Sequence, residues 1–141
     1  MFTNTAKMDR LQEIKLFSGL SKKDLQLISK GSDELSVAAG TVVVDQGQTG
    51  REALVLMSGT VTIKRNDRKI ASREAGTVIG ELSLLDHGPR TATVVCETDC
   101  TFLVIDQPHF RSMLESSPAL AMRLLAALAT RIRELDSKYQ G

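Results

Sequence analysis

Residues 76–95 read GTVIGELSLLDHGPRTATVV. A region rich in Val and Thr is interrupted by Gly80, a compact Glu-Leu-Ser-Leu-Leu turn of helix, and then Pro89-Arg90-Thr91. A helix start offers unpaired N–H groups and a positive dipole end, and glycine lets the backbone approach a ligand closely. Arg90 adds a planar guanidinium that suits two phosphate oxygens. The stretch therefore predicts a site for a small anion.

The sequence around this stretch has the character of β structure. From Leu35 onward Val, Thr and Ile become frequent, and glycines recur at intervals, which is typical of short strands joined by turns. The predicted strands are 35–38, 41–45, 53–57, 60–65, 69–73, 91–96 and 101–105. Many short strands that close over one core suggest a jelly-roll-like barrel.

Predicted helices lie on both sides of the β region. Apolar spacing close to the helical period is found at residues 7–16, 21–30, 108–114 and 118–136. Ser21 is typical of a helix N-cap, and proline stands in the first turn of the last two helices. One side of the final helix is apolar and is formed by Leu120, Leu124, Leu128, Ile132 and Leu135. We therefore expect this helix to pack against an apolar surface.

The length of 141 residues fits one domain with one core. Because no linker or repeat marks a second domain, we divide the chain into a helical start at about 1–31, a β-roll at about 35–106 and C-terminal helices at about 107–137. The expected fold class is mainly β with flanking helices, a jelly-roll-like β-roll that carries N-terminal helices and a C-terminal amphipathic lid helix.

Composition and charge argue against several classes of protein. The 18 Lys and Arg residues nearly balance 17 Asp and Glu residues, so neither nucleic acid nor an anionic membrane is expected as the main partner. No apolar stretch suits a signal peptide or a bilayer span, which predicts a cytoplasmic protein. Cys96 and Cys100 are expected to be buried free thiols, and His87 and His109 are too few for a metal site. We expect no metal and no cofactor.

The segment from Gly80 to Val95 closely follows the phosphate-binding cassette of the cyclic-nucleotide-binding domain family, and the chain resembles that family. The matching pattern is Gly-Glu-Leu-Ser-Leu-Leu, a short spacer, and then Pro-Arg-Thr-Ala-Thr-Val. The resemblance extends to Leu-Phe-Ser-Gly-Leu at 16–20 and Leu-Met-Ser-Gly at 56–59. Ile79 departs from the family, which often has phenylalanine there, so part of the pocket wall is expected to pack differently.

The resemblance implies a β-roll that binds a cyclic nucleotide, with cAMP favoured and cGMP as the alternative. Arg90 is then expected to take the phosphate, Glu81 the ribose 2′-hydroxyl, and Thr91 the phosphate or a guanine edge. The full set of expected ligand-binding residues is Ile79, Gly80, Glu81, Leu82, Ser83, Arg90, Thr91 and Arg131. Val78, Ile79, Leu82 and Val94 are candidates for the pocket wall, with barrel core as the alternative for each.

Arg131 lies inside the apolar arc of the final helix instead of on its polar face. One interpretation is an arginine that snorkels or pairs with a surface carboxylate. The other follows from the resemblance, because the final helix of the family commonly closes over the bound base, and the spacing from Arg90 to Arg131 is similar to that of members with a base-contacting arginine.

Competing functions stay open at this point. A transcription regulator of the catabolite-activator type would need a helix-turn-helix, but only 137–141 follow the predicted last helix. A degenerate interaction module would be expected to lose Glu81 or Arg90, because an unpaired buried arginine is costly. No nucleophile-base arrangement points to an enzyme, so no catalytic residue is assigned. We expect a sensor that signals to an effector protein or to a second copy of itself.

Overall fold

The computed structural model describes residues 2–80 and 88–140, without the side chains of 131, 135 and 137–140. The helices are α1 Asn4–Glu13, α2 Lys22–Lys30, α3 Gln107–Ser116 and α4 Pro118–Gln140. The strands are β1 Asp33–Val37, β2 Val42–Val44, β3 Glu52–Ser58, β4 Thr60–Arg65, β5 Arg68–Glu74, β6 Val78–Ile79, β7 Thr93–Cys96 and β8 Cys100–Asp106. The predicted fold class, mainly β with flanking helices, is confirmed.

The strands form two antiparallel sheets whose orders are β1-β8-β3-β6 and β2-β7-β4-β5. Apolar side chains from both sheets pack together in a shared cluster that includes Val44, Leu54, Val94 and Phe102. Non-consecutive strands are neighbours in both sheets, as expected when a jelly-roll-like chain closes on itself. The result is a β-roll with one core between its two sheets.

A second apolar cluster lies between the first sheet and the helices. β3 contributes to both clusters, because Leu54 and Leu56 face the space between the sheets while Ala53, Val55 and Met57 face the helices. Burial on both faces explains why this strand is an apolar run without polar alternation. From the C-terminal helices, Phe110, Met113, Leu120 and Leu124 join the second cluster.

Several predicted boundaries are wrong. The first helix spans Asn4–Glu13 instead of 7–16, because Thr3 accepts a hydrogen bond from the N–H of Ala6 and starts the helix earlier. After the helix ends, the chain continues through turns that bury Ile14 and Phe17. The predicted N-cap is confirmed, since Ser21 Oγ accepts from the N–H of Asp24 at 3.1 Å.

In the β region and beyond, four further features differ from the prediction. The predicted strand 91–96 starts only at Thr93, and the two-residue strand β6 was missed because it is too short to show a period. The last helix continues to Gln140, and Ile132, predicted on its packing side, is 66% exposed. The prediction that Cys96 and Cys100 are buried free thiols is confirmed.

The hairpin between β4 and β5 turns at Asn66 and Asp67, whose φ values are +53° and +64°. Two successive residues with positive φ are typical of a tight turn whose twist matches that of the strands. The side chain of Gln46 holds this turn from outside the hairpin. Its Nε2 donates to Asn66 Oδ1 at 3.0 Å, and its Oε1 accepts from the N–H of Asn66 at 2.9 Å.

Candidate ligand-binding site

A cavity of about 490 Å³ opens between the second sheet and the segments on either side of residues 81–87. Its apolar wall includes Val44, Ile63, Val78, Ile79 and Val94. Its polar lining among the described residues includes Arg65, Arg73, Thr77, Arg90 and Thr91. A concave site with an apolar wall and a few polar groups is typical of pockets for small molecules.

Arg90 is buried in the wall of this cavity, with 8% of its surface exposed. Its Nη2 donates to the carbonyl of Glu52 at 2.7 Å, and its Nη1 donates to the carbonyl of Gly80 at 3.3 Å. Its backbone is held too, because the N–H of Arg90 donates to Gln48 and its carbonyl accepts from Gly47. The guanidinium is therefore fixed before any ligand binds.

Burial lowers the pKa of Arg90, and the Glu52 carboxylate acts in the opposite direction. An arginine still keeps its proton in such a site, since its ordinary pKa is far above neutral. The site therefore presents a charged guanidinium whose charged form is poorly solvated. An anion that enters the cavity would replace part of that lost solvation.

Gly80 is required beside this guanidinium for two reasons. Its φ of +79° lies in the left-handed region that favours glycine. A side chain on residue 80 would also overlap Nη1 of Arg90. The absence of a Cβ therefore lets the backbone carbonyl meet the arginine directly.

The structure brings together four of the predicted site residues. Ile79, Gly80, Arg90 and Thr91 all line the cavity. Ile79 also belongs to the core cluster between the sheets, so it serves both as core and as pocket wall. The other predicted residues, Glu81, Leu82 and Ser83, and the side chain of Arg131 lie outside the described residues.

Sequence reasoning missed the contribution of the hairpin β4–β5. Arg65, Ile70 and Arg73 line the cavity, and Arg65 Nε donates to the carbonyl of Thr91 at 3.2 Å. Alternate residues of a strand face the same side of the sheet, so the order Val61, Ile63, Arg65 along β4 could have indicated that Arg65 lies on the cavity side. It becomes informative only once the pairing of β4 with β7 is known, because that pairing places the strand beside Thr91.

A second cavity of about 540 Å³ lies between α4 and the turn before β6. Lys15, Arg123, Leu124 and Leu128 are among its lining residues. Thr77 and Val78 line this cavity as well as the first one. The last helix therefore borders the same short segment that borders the candidate site.

Residues 2–80 and 88–140 contain no group of three or more His, Cys, Asp or Glu side chains placed to hold a metal ion. In the same residues, no helix has the length and apolar character needed to cross a bilayer.

Comparison with known proteins places the chain in a family. A family model described as "Cyclic nucleotide-binding domain" matches residues 34–117. The cAMP-dependent protein kinase regulatory subunit of Eremothecium gossypii is 33% identical over 101 residues, which cover 72% of this chain and 22% of the subunit. The cyclic AMP receptor protein of Thermus thermophilus is 30% identical over 126 residues, which cover 86% of this chain and 58% of that protein. The chain thus spans less than two thirds of these relatives.

Solved structures agree with this assignment. The catabolite activator protein of Thermus thermophilus superposes with a TM-score of 0.83 at 29% identity, covering 89% of this chain and 62% of that one. The N-terminal domain of a transcriptional regulator from Streptomyces coelicolor superposes with a TM-score of 0.78 at 29% identity, covering 92% and 94%. The chain belongs to the cyclic-nucleotide-binding domain family.

Proposed function

We propose that this chain is a cytoplasmic regulatory sensor module that binds cAMP in the cavity around Arg90, with cGMP as the alternative ligand. The observation that carries the proposal is the buried guanidinium of Arg90 on the cavity wall. Its two hydrogen bonds in the described structure are to carbonyls, which orient the group without neutralising its charge. A cyclic phosphate supplies the missing negative charge.

The ion pairs of the described residues support this role, because the Glu52 carboxylate acts on Arg90 without forming an ion pair with it. Among residues 2–80 and 88–140, the ion pairs are Arg10 with Glu13 and His109 with Asp106, and neither involves Arg90. Burying a charge without an ion-pair partner lowers the stability of the folded protein, so such a group is typical of a site that binds an opposite charge. An anionic ligand explains why this arginine is held rigidly inside the protein.

The remaining contacts follow the family resemblance. Glu81 would accept from the ribose 2′-hydroxyl, and the backbone of Gly80, Leu82 and Ser83 would donate to the phosphate. Thr91 would contact the phosphate or the base. Ile79 would form part of the pocket wall beneath the sugar and base.

The preference for cAMP rests on the relatives, several of which carry cAMP in their names. The exposed Thr91 stands at the cavity, and its hydroxyl can donate or accept, so it can serve adenine or guanine. For that reason cGMP remains the second ligand to test.

The output of the sensor is proposed to pass through α4, with Arg131 on that helix contacting the base. Met122, Leu125 and Ile132 on α4 are 64%, 59% and 66% exposed. Apolar side chains at this spacing share one helix face, which suits contact with an effector protein or a second copy of the chain.

The alternatives are the sensor part of a transcription regulator whose helix-turn-helix is not in this sequence, and a degenerate interaction module. We propose no catalytic activity.

Titration calorimetry with cAMP and cGMP on nucleotide-free protein tests the binding proposal. We expect Arg90→Ala to lose about 1.5 to 3 kcal/mol or more of binding free energy, as for a hydrogen bond to a charged group. Arg68→Ala is the matched control, because Arg68 is an exposed arginine outside the cavity lining. Circular dichroism on each variant separates loss of binding from loss of fold.

Two outcomes contradict the proposal. If folded wild-type protein binds neither nucleotide, the degenerate interaction module takes its place. If Arg90→Ala binds as tightly as Arg68→Ala, the phosphate is not held by Arg90. Incubation with cAMP and a search for the linear monophosphate checks the absence of hydrolysis.

A further inference from the structure

The tip of the hairpin β4–β5 is held over the segment that carries Arg90. Gln46 bonds reciprocally with Asn66 at the tip, and the N–H of Gln46 donates to Thr93 Oγ1 at 3.0 Å. The pairing of β4 with β7 aligns Lys64 with Thr93. These contacts bring the end of β4, and with it Arg65, to the end of the cavity where Arg90 and Thr91 lie.

Arg65 lines the cavity, and only one of its donors is used within the described chain. Its Nε donates to the carbonyl of Thr91, the residue directly after Arg90. In residues 2–80 and 88–140 its two Nη groups have neither a hydrogen-bond acceptor nor a carboxylate partner. Toward these described residues, the guanidinium is oriented by one bond, and its other four N–H groups are unused.

Arg90, by contrast, has already committed part of its donor capacity. Each of its Nη groups donates to a backbone carbonyl. A cyclic phosphate presents two exocyclic oxygens, each of which can accept more than one hydrogen bond. A ligand held by Arg90 therefore has acceptor capacity left for a second cation.

We propose that Arg65 is this second cation and donates through its Nη groups to an exocyclic oxygen of the bound phosphate. The inference rests on the proposed function, that the cavity holds a cyclic nucleotide. The Nε bond to Thr91 fixes the direction of the guanidinium, so that little side-chain entropy is lost on binding. The hairpin tip, and not only the segment around Arg90, then determines phosphate affinity.

The register of the hairpin separates Arg65 from the other exposed arginine of the cavity. Arg73 pairs with Val61, four residues before Arg65 along β4, which corresponds to about 13 Å of strand. Arg73 therefore lines a different end of the cavity. Arg68 pairs directly with Arg65 across the hairpin but does not line the cavity. It is therefore a control residue with the same charge at the same hairpin tip.

The test compares Arg65→Leu with Arg68→Leu by calorimetry, using cAMP and cGMP on each. Both changes remove one positive charge from the same hairpin tip. We expect Arg65→Leu to weaken both nucleotides by the same factor, about tenfold, since the phosphate is common to them. Arg68→Leu is expected to change affinity by less than about twofold.

A second measurement distinguishes a phosphate contact from a purely structural role of the Arg65–Thr91 bond. The Rp and Sp phosphorothioates of cAMP replace one exocyclic oxygen at a time with sulfur, a weaker acceptor. If Arg65 donates to one of these oxygens, Arg65→Leu changes the ratio of the two affinities by at least about twofold. A structural role would weaken both diastereomers equally.

The outcomes distinguish failure of the Arg65 contact from failure of cyclic-nucleotide binding itself. If wild-type protein binds no cyclic nucleotide, the proposed function fails, and the role of Arg65 fails with it. If wild-type protein binds but Arg65→Leu matches Arg68→Leu, or leaves the diastereomer ratio unchanged, only the role of Arg65 is overturned.

Discussion

Gly80 and Arg90 form one unit, in which Nη1 of the arginine donates to the glycine carbonyl at 3.3 Å and no side chain stands between them. The two residues lie at opposite ends of the segment from 80 to 90. Their contact therefore joins the segments before and after residues 81–87 at the wall of the cavity. The proposed phosphate site therefore depends on both residues.

The first prediction concerns Gly80→Ala. The added methyl group overlaps Nη1 of Arg90, and the alanine backbone must keep a φ near +79°, which is unfavourable for a residue with a side chain. We therefore expect a loss of about 1 to 3 kcal/mol in unfolding free energy, together with weaker nucleotide binding. Gly40→Ala is the control, because Gly40 has a φ of +88° but no atom within 4 Å of an added Cβ. Equal losses in the two variants, measured by urea unfolding, would show that the overlap with Arg90 is unimportant.

The second prediction concerns the start of α3. Asp106 Oδ1 accepts from the N–H of His109 at 2.9 Å, and this bond holds the pKa of Asp106 below its ordinary value of 3.8. Because the folded pKa is the lower one, the stabilisation is present above pH 3.8 and is lost as the pH falls through the folded pKa. We expect Asp106→Ala to cost about 1 kcal/mol at neutral pH.

Asp106→Asn serves as the comparison, because an amide oxygen still caps the helix but does not titrate in acid. Urea unfolding between pH 3 and 7 should show a smaller acid loss for Asp106→Asn than for the wild type. The same acid loss in both proteins would assign the effect to other carboxylates.

The third prediction concerns the buried thiols. Burial raises the pKa of Cys96 to about 12, and the neighbouring Cys100 acts in the same direction. Since thiolate is the reactive form, we expect negligible labelling by a disulfide reagent at pH 8 in folded protein and rapid labelling of both thiols in urea. Rapid labelling of the folded protein would contradict the buried placement of the pair.

The pKa of Cys96 also predicts a loss of stability in alkali. The unfolded thiol releases its proton near 9.0, whereas the folded thiol keeps it until about 12, so the unfolded state is favoured progressively above pH 9.0. Cys96→Ala should lower stability at neutral pH but flatten this alkaline decline. An equally steep decline in Cys96→Ala would point to lysine or tyrosine residues as its source.

The fourth prediction concerns the exposed face of α4. If a second copy covers Met122, Leu125 and Ile132, sedimentation velocity will show concentration-dependent association of the wild type, and Leu125→Glu will shift the protein to monomer. Leu35→Glu is the control, since Leu35 is an exposed leucine on β1. A wild type that stays monomeric at all concentrations would leave an effector protein as the partner of this face.

Local patterns predicted the β-roll well, because most strands are long enough to show their apolar character and end at glycine turns. The central strand of 60–65 was located to the residue. The strand Val78–Ile79 was missed, since it exists through its pairing with Leu54 and Val55 and not through any pattern of its own. Such a pairing between distant segments becomes visible only in the folded chain.

The candidate site was predictable where its residues are close in sequence and unpredictable where they are not. Gly80 and Arg90 lie ten residues apart and were identified together. Arg65 reaches Thr91 through a separation of 26 residues, and the carbonyl of Glu52 reaches Arg90 through 38. Such contacts depend on strand register, which a single sequence does not reveal.

The residues Thr77 and Val78 line both the cavity around Arg90 and the cavity beside α4. If the occupants of the two cavities prefer different arrangements of this pair, their binding is coupled, and thermodynamic linkage makes the coupling free energy the same in both directions. Under the proposed function, a protein that docks against α4 and shifts the pair changes the affinity for nucleotide by the same factor by which nucleotide changes the affinity for that protein. A change in nucleotide affinity on addition of a candidate partner would then report the binding of that partner to α4.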